Sequence, residues 1–288
     1  MEPTSKRVTG ADRNGIRVLE WSDEGVPLLL LHGFGNEAHI WDDFAPAVAP
    51  YYRTLALDHR GHGESDRVPE GQYSYEAMAR DVEALTAALG IDRLVVVGHS
   101  LGGRVATVFV DRNPERIAGL VLVDIGPELD ARGSTRIRMD VEINQDPTFS
   151  SHAEYARALT LAYPEAQPQA LERMALHGLR QRDDGLYELK MDPALRSSAR
   201  ISSESAADDD GGLSQEYQWE ALARVACPTL VVRGAASDIL SADTAEKMAE
   251  EVLPNGRLAV VARAGHSVMT DNPEGFEAAL AGFLLSEE

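Results

Sequence analysis

Six short apolar runs, at residues 28–31, 54–57, 94–97, 120–123, 230–232 and 258–261, constrain this chain more than any other feature. Each is too short for a helix and too uniformly apolar for a sheet with one wet face, so each predicts a strand buried on both sides. Helical stripes lie between them. Met78, Val82, Leu85 and Leu89 recur at helical spacing, as do Leu101, Val105 and Val108. Phe276, Leu280, Phe283 and Leu284 do the same behind Asn272 as N-cap and Pro273 at the first helical position. Strand and helix in alternation predict an α/β fold, a mostly parallel sheet with helices on both faces. Ahead of it, residues 16–21 after Asn14-Gly15 read as half of a β-hairpin at an antiparallel edge.

The spacing of the runs is even except once. Between the runs centred near residues 122 and 231 lie roughly 70–80 residues more than a crossover needs. Tyr155, Ala158, Leu159 and Ala162 form an amphipathic stripe there behind Ser150 and Ser151; Leu171, Met174, Ala175 and Leu179 form a second, and Trp219, Leu222 and Ala223 a third behind Ser214. The insert is therefore expected to be a small helical subdomain, with the polar stretch 202–212 as a connector.

The residues just beyond each run are more telling. His32-Gly33-Phe34-Gly35 stands after the first, residues 58–63 (DHRGHG) after the second, residues 98–103 (GHSLGG) after the third, Asp124 after the fourth, Asp238 after the fifth, and Gly265-His266 after the sixth. The C-terminal ends of parallel strands share one edge, where ligands bind at the switch in strand order. Residues scattered along most of the chain can thus meet in one crevice.

The G-x-S-x-G around Ser100 sits between an apolar run and a helical stripe, the strand–turn–helix setting of a nucleophile elbow. A serine hydroxyl needs a base to take its proton as it attacks, and His266, on the loop after the last run, is the candidate. The base needs a carboxylate on its other nitrogen. Asp238 is preferred over Asp124 because it preserves the chain order serine, acid, histidine; Asp124 is the alternative acid. Backbone N–H groups of Leu101, at the start of a helix, and of Phe34 are the expected oxyanion donors.

Other chemistries lack support. A net charge of -20 repels phosphate backbones and anionic lipid, which argues against nucleic acid and membrane-surface partners. His59-x-x-His62 lacks the further Cys or carboxylate ligands of a zinc site, and Asp208-Asp209-Asp210 fails the EF-hand pattern at Gly212, so no metal is expected. No phosphate-binding loop occurs and Gly61-x-Gly63 lacks its third glycine, so no cofactor is expected either. Cys227 is the one cysteine, which excludes an intramolecular disulfide and reads as packing. With neither an apolar leader nor an 18-residue apolar span, the expectation is a cytoplasmic protein.

The order and content of these motifs resemble the α/β-hydrolase superfamily over essentially the whole chain. The resemblance implies that residues 32–35 form the oxyanion-hole turn, that residues 58–65 (DHRGHGES) are the turn common near the nucleophile, and that residues 98–103 are the elbow, with Asp238 and His266 as acid and base. It further implies an eight-stranded sheet with a helical cap inserted between strands 6 and 7, giving a core of residues 1–126 and 223–288 and a cap of 127–222. Serine at position 100 separates the chain from superfamily members with an aspartate nucleophile, the haloalkane dehalogenases and epoxide hydrolases. Ser267, where the meta-cleavage C–C hydrolases usually carry tryptophan, argues against C–C cleavage. Hydrolysis of a small-molecule carboxylic ester or lactone through an acyl-enzyme on Ser100 is the expected function. The alternatives are C–C hydrolysis, a ligand receptor that keeps the triad but turns over little, and cofactor-free oxygen or peroxide chemistry in which His266 and Asp238 suffice.

Overall fold

A computed structural model describes residues 1–69, 72–133, 135, 147–197 and 213–285. All six apolar runs are strands of one sheet: β3 (Val26–Leu31), β4 (Tyr52–Leu57), β5 (Leu94–His99), β6 (Ile117–Val123), β10 (Thr229–Gly234) and β11 (Gly256–Val261). The predicted hairpin adds β1 (Thr4–Thr9) and β2 (Gly15–Glu20), which pair antiparallel with each other, as β2 does with β4. The eight strands lie in the order β1-β2-β4-β3-β5-β6-β10-β11, parallel from β4 onward.

Pleating sends alternate side chains to opposite faces, and over the central strands both faces are dry, whereas edge strand β11, expected to be buried on both sides, leaves Val260 56% exposed because it has no neighbour beyond it. Leu29, Leu31 and Val96 join one core cluster with the helices Tyr75–Ala88 and Leu101–Arg112. Leu28, Leu30, Val95 and Val97 join another with Trp41, Phe276 and Leu280 of the opposite layer. Asn272 caps the last helix where the sequence puts it, accepting from Gly275 N, and Ser74 caps helix Tyr75–Ala88 by accepting from Ala77 N, so each helix begins with a satisfied donor.

The long insert leaves the sheet after β6 and returns at β10. It holds the helices His152–Ala162 and Pro168–Gly178 on the two predicted stripes. It also holds what the helical reading lacks, a three-stranded antiparallel sheet in the order β7 (Thr148–Phe149), β9 (Tyr187–Leu189), β8 (Leu179–Gln181). The third stripe is reassigned. Helix Gln215–Arg224 packs against Leu101–Arg112, with Leu222 in the same core cluster as Val105 and Val108, and with Tyr217 Oη and Arg224 Nε donating to Asp111 at 3.0 and 2.8 Å. This helix therefore shares the core cluster of the sheet and helix Leu101–Arg112. Residues 202–212, the expected connector, lie outside the described residues.

The insert rests on loops at the C-terminal strand edge. Arg173 forms a two-point ion pair with Asp43 beyond β3, Asp192 N donates to Gly61 O at 2.7 Å beyond β4, and Gln167 N donates to Thr270 O at 3.0 Å beyond β11. Among the described residues no helix is long and apolar enough to cross a membrane.

Candidate active site

The direction of the chain reverses side at β3: β4 lies on one flank and β5 on the other, so the crevice opens between the C-terminal ends of β3 and β5. Ser100 stands there in a left-handed conformation (φ 52°, ψ −119°) that few L-residues adopt, at the tight exit from β5 into helix Leu101–Arg112. The turn is possible because its glycines are bare. A Cβ on Gly98 would stand 2.6 Å from Gly103 Cα, and one on Gly102 would stand 2.3 Å from Leu31 O. Gly98→Ala must therefore move backbone, and it is expected to lower Tm by roughly 5–10 °C in a melting experiment, a cost of about 2–3 kcal/mol.

His266 arrives from the loop after β11. Its Nε2 is 3.0 Å from Ser100 Oγ. Its Nδ1 is 2.8 Å from Oδ2 of Asp124, which is fully buried at the end of β6. With the Nδ1 proton donated to the carboxylate, Nε2 is left as the acceptor of the Ser100 hydroxyl proton. Asp124 shares with Ser100 a left-handed backbone (φ 50°), the second strained non-glycine residue at this edge.

The carboxylate on His266 is thus Asp124, and the expectation for Asp238 is corrected. The loop after β10 is tight: Ala235 N, Ala236 N and Ser237 N donate to Val261 O, Ala264 O and Gly234 O. That turns Ser237 inward to Asp124 and carries Asp238 past it. The backbone carbonyl of Asp238 packs against Gly133, where a Cβ would be 2.3 Å away, and its charge acts on Arg132.

Three neighbours of the site carry no signal in the sequence that singles them out. Gly234 N and Ser237 Oγ donate to Asp124 at 3.0 and 2.5 Å, and His99 Nε2 donates to the carbonyl of His266 at 3.0 Å. Burial, with the neighbouring His266 adding to it, pulls the His99 pKa well below that of free imidazole, so its ring is a neutral strut. The backbone that carries the two expected oxyanion donors lies next to Ser100. Leu101 begins its helix, where N–H groups have no carbonyl a turn earlier, and Gly33, just before Phe34, lies so close that a Cβ on it would stand 3.2 Å from Ser100 Cβ.

Behind Phe34 sit three packed imidazoles. Ring centroids of His32 lie 4.6 and 5.1 Å from those of His59 and His62, and Phe34 meets His62 edge-on at 6.0 Å. Burial above all pulls His32 down to about 4 and His62 to about 3, and His59 lies well below its ordinary value for the same reason. The trio carries no charge at neutral pH. Among the described residues one group of three side chains, His39, Asp42 and His177, brings donor atoms within reach of a single metal ion. It does not fit one. The two rings are stacked at 3.6 Å and 17°, which sets their lone pairs side by side rather than converging, and guanidinium nitrogens of Arg17 and Arg173 lie 2.9 Å from His39 Nε2 and 3.9 Å from Asp42.

A family model for the alpha/beta hydrolase fold matches residues 26–273. The chain belongs to that family. This α/β hydrolase is similar to N-formylmaleamate deformylase of Pseudomonas putida, 31% identical over 94% of each chain. It is also similar to esterase Rv0045c of Mycobacterium tuberculosis, 28% identical over 93% of this chain and 86% of the relative. Among solved structures, an alpha/beta hydrolase from Novosphingobium aromaticivorans superposes with a TM-score of 0.83 at 31% identity, covering 99% of this chain and 98% of that one. The sheet order, the site at its C-terminal edge and the relatives agree that the chain is a hydrolase of this fold with esterase homologues.

Proposed function

We propose that this α/β hydrolase cleaves carboxylic esters, lactones included, through an acyl-enzyme on Ser100. The observation that carries the reading is the unbroken series Ser100 Oγ, His266 Nε2, His266 Nδ1 and Asp124 Oδ2, linked at 3.0 and 2.8 Å. Ser100 Oγ attacks the ester carbonyl carbon while His266 Nε2 takes its proton, and Asp124 holds the ring in the right tautomer and stabilises the imidazolium. The N–H groups of Leu101 and Phe34 receive the negative charge that develops on the carbonyl oxygen. Collapse of the tetrahedral intermediate expels the alkoxide, which leaves with the proton from His266 Nε2. A water then gives its proton to the same nitrogen as it attacks the acyl carbon, and Ser100 is released with the acid product.

The insert, resting on the loops around the crevice, is read as a cap that shapes the substrate pocket. Similarity to a relative named as a deformylase of an N-formyl amide favours one second reading, hydrolysis of an amide at the same site, since the steps differ only in the leaving group. The test is incubation with a fluorophosphonate followed by peptide mass mapping, alongside nitrophenyl esters of rising chain length, a lactone, an N-formyl amide and a dienone. Label on Ser100 alone, with turnover of short esters or lactones, is the expected result. Labelling that persists unchanged in His266→Ala, or turnover confined to the amide or to the dienone, would overturn it.

A further inference from the structure

The loop after β10, from which the sequence leads one to expect the acid, delivers a hydroxyl instead. Ser237 is 4% exposed, and its Oγ lies 2.5 Å from Asp124 Oδ2, the same oxygen that holds His266 Nδ1. Which way that hydroxyl points is settled by its other contacts. Ile239 N and Leu240 N both donate to Ser237 Oγ, at 3.1 and 3.2 Å, and occupy its lone pairs. The hydroxyl proton is then directed at the carboxylate, and Gly234 N supplies the partner of the other oxygen, Oδ1, at 3.0 Å.

We infer that Ser237 is a positioning residue for the reaction: it fixes the rotamer of Asp124 and keeps its carboxylate aimed at His266. The inference rests on the acyl-enzyme reading above. A fully buried carboxylate on a strained backbone needs hydrogen-bond donors to hold it in place. Among the described residues it has three, and of these the Ser237 hydroxyl alone shares the working oxygen with the imidazole. Without that donor, rotation about the Cβ–Cγ bond is opposed by Gly234 N at Oδ1 and by the mobile imidazole itself, so Oδ2 is held less firmly in the imidazole plane. The ester binds elsewhere, at the Ser100 end of the series, so the loss belongs in kcat and not in KM.

The test is Ser237→Ala in the full chain, assayed on the nitrophenyl ester that wild type turns over best, with a melting curve and the downfield one-dimensional proton spectrum of each protein. The expected result is a kcat about 10- to 30-fold lower, the loss of one hydrogen bond to a charged group, with KM within about twofold. The strongly deshielded resonance of the His266 Nδ1 proton should shift or broaden. Ser237→Cys, which keeps a weak S–H donor, should fall between Ala and wild type. Folded variants with kcat within about twofold of wild type and an unshifted Nδ1 resonance overturn the inference. So does a loss carried by KM, or failure of both variants to fold, which would make Ser237 a stability residue only. Should wild type turn over no ester at all, the acyl-enzyme reading falls, and the proton resonance still reports whether Ser237 holds the Asp124–His266 pair.

Discussion

Asp124→Asn is expected to lower kcat on an activated ester by about 10⁴-fold, whereas Asp238→Asn stays within a few-fold of wild type. The size of the first effect comes from counting donors. Three protons point at the Asp124 carboxylate: Gly234 N–H at Oδ1, and the Ser237 hydroxyl and His266 Nδ1–H at Oδ2. An amide has one acceptor oxygen. With its NH₂ in the Oδ1 position it meets the Gly234 donor head-on. In the Oδ2 position it meets both Ser237 and His266, and the imidazole escapes by moving its proton to Nε2, where it can no longer accept from Ser100. Either way the productive tautomer is disfavoured, and the base is lost while the nucleophile stays in place. Initial rates at saturating ester, with melting curves to show that both variants fold, decide the matter. A large loss in Asp238→Asn with Asp124→Asn near wild type would sink the assignment of the acid.

That contrast also shows where the sequence is legible and where it is not. The nucleophile can be read because its geometry demands particular residues: Gly98 and Gly102 admit no side chain, so the elbow leaves a pattern in the chain itself. The sheet can be read because strands buried on both faces are continuous apolar runs such as residues 28–31 and 94–97. The acid leaves no such mark. Asp124 and Asp238 both lie between Ser100 and His266, so the order serine, acid, histidine is met by either and decides nothing. The choice is made in three dimensions, by a tight loop after β10 that faces Ser237 inward and carries the next residue past.

The small sheet in the insert is hidden for a different reason. Strands of two or three residues, such as β7 and β8, are shorter than any period that can be counted, and they exist because Tyr187 pairs with Gln181 on one side and Phe149 on the other. One local signal is present. Asp184-Gly185, with Gly185 at φ 85°, closes the β8–β9 hairpin, and an Asp-Gly pair is a hairpin-turn signal even where, as here, the flanking strands are largely polar.

The turn after β4, residues 58–65, carries the second large expectation, and it concerns stability. Arg60 is completely buried; its Nε and Nη2 donate to Asp81 of helix Tyr75–Ala88 at 2.7 and 2.8 Å, and its Nη1 donates to Asp12 and to Gln72 O at 2.8 and 2.9 Å. Burial works against the guanidinium charge, and the bonds and charges of Asp81 and Asp12 more than offset it, so the Arg60 pKa lies above its ordinary value. One side chain thereby ties the turn after β4 to the helix beyond it and to the loop joining β1 and β2. Arg60→Met leaves Asp81, 2% exposed, as a buried charge without its cation, and is expected to cost about 3–5 kcal/mol, a fall in Tm of roughly 6–20 °C. The cost comes from the stranded carboxylate rather than from the lost attraction. Arg60→Met combined with Asp81→Leu should therefore recover about half of the lost Tm or more, although Ala11 N also gives up its bond to Asp81. A double variant no more stable than Arg60→Met would show that the guanidinium contributes by holding the two loops together and not by neutralising Asp81.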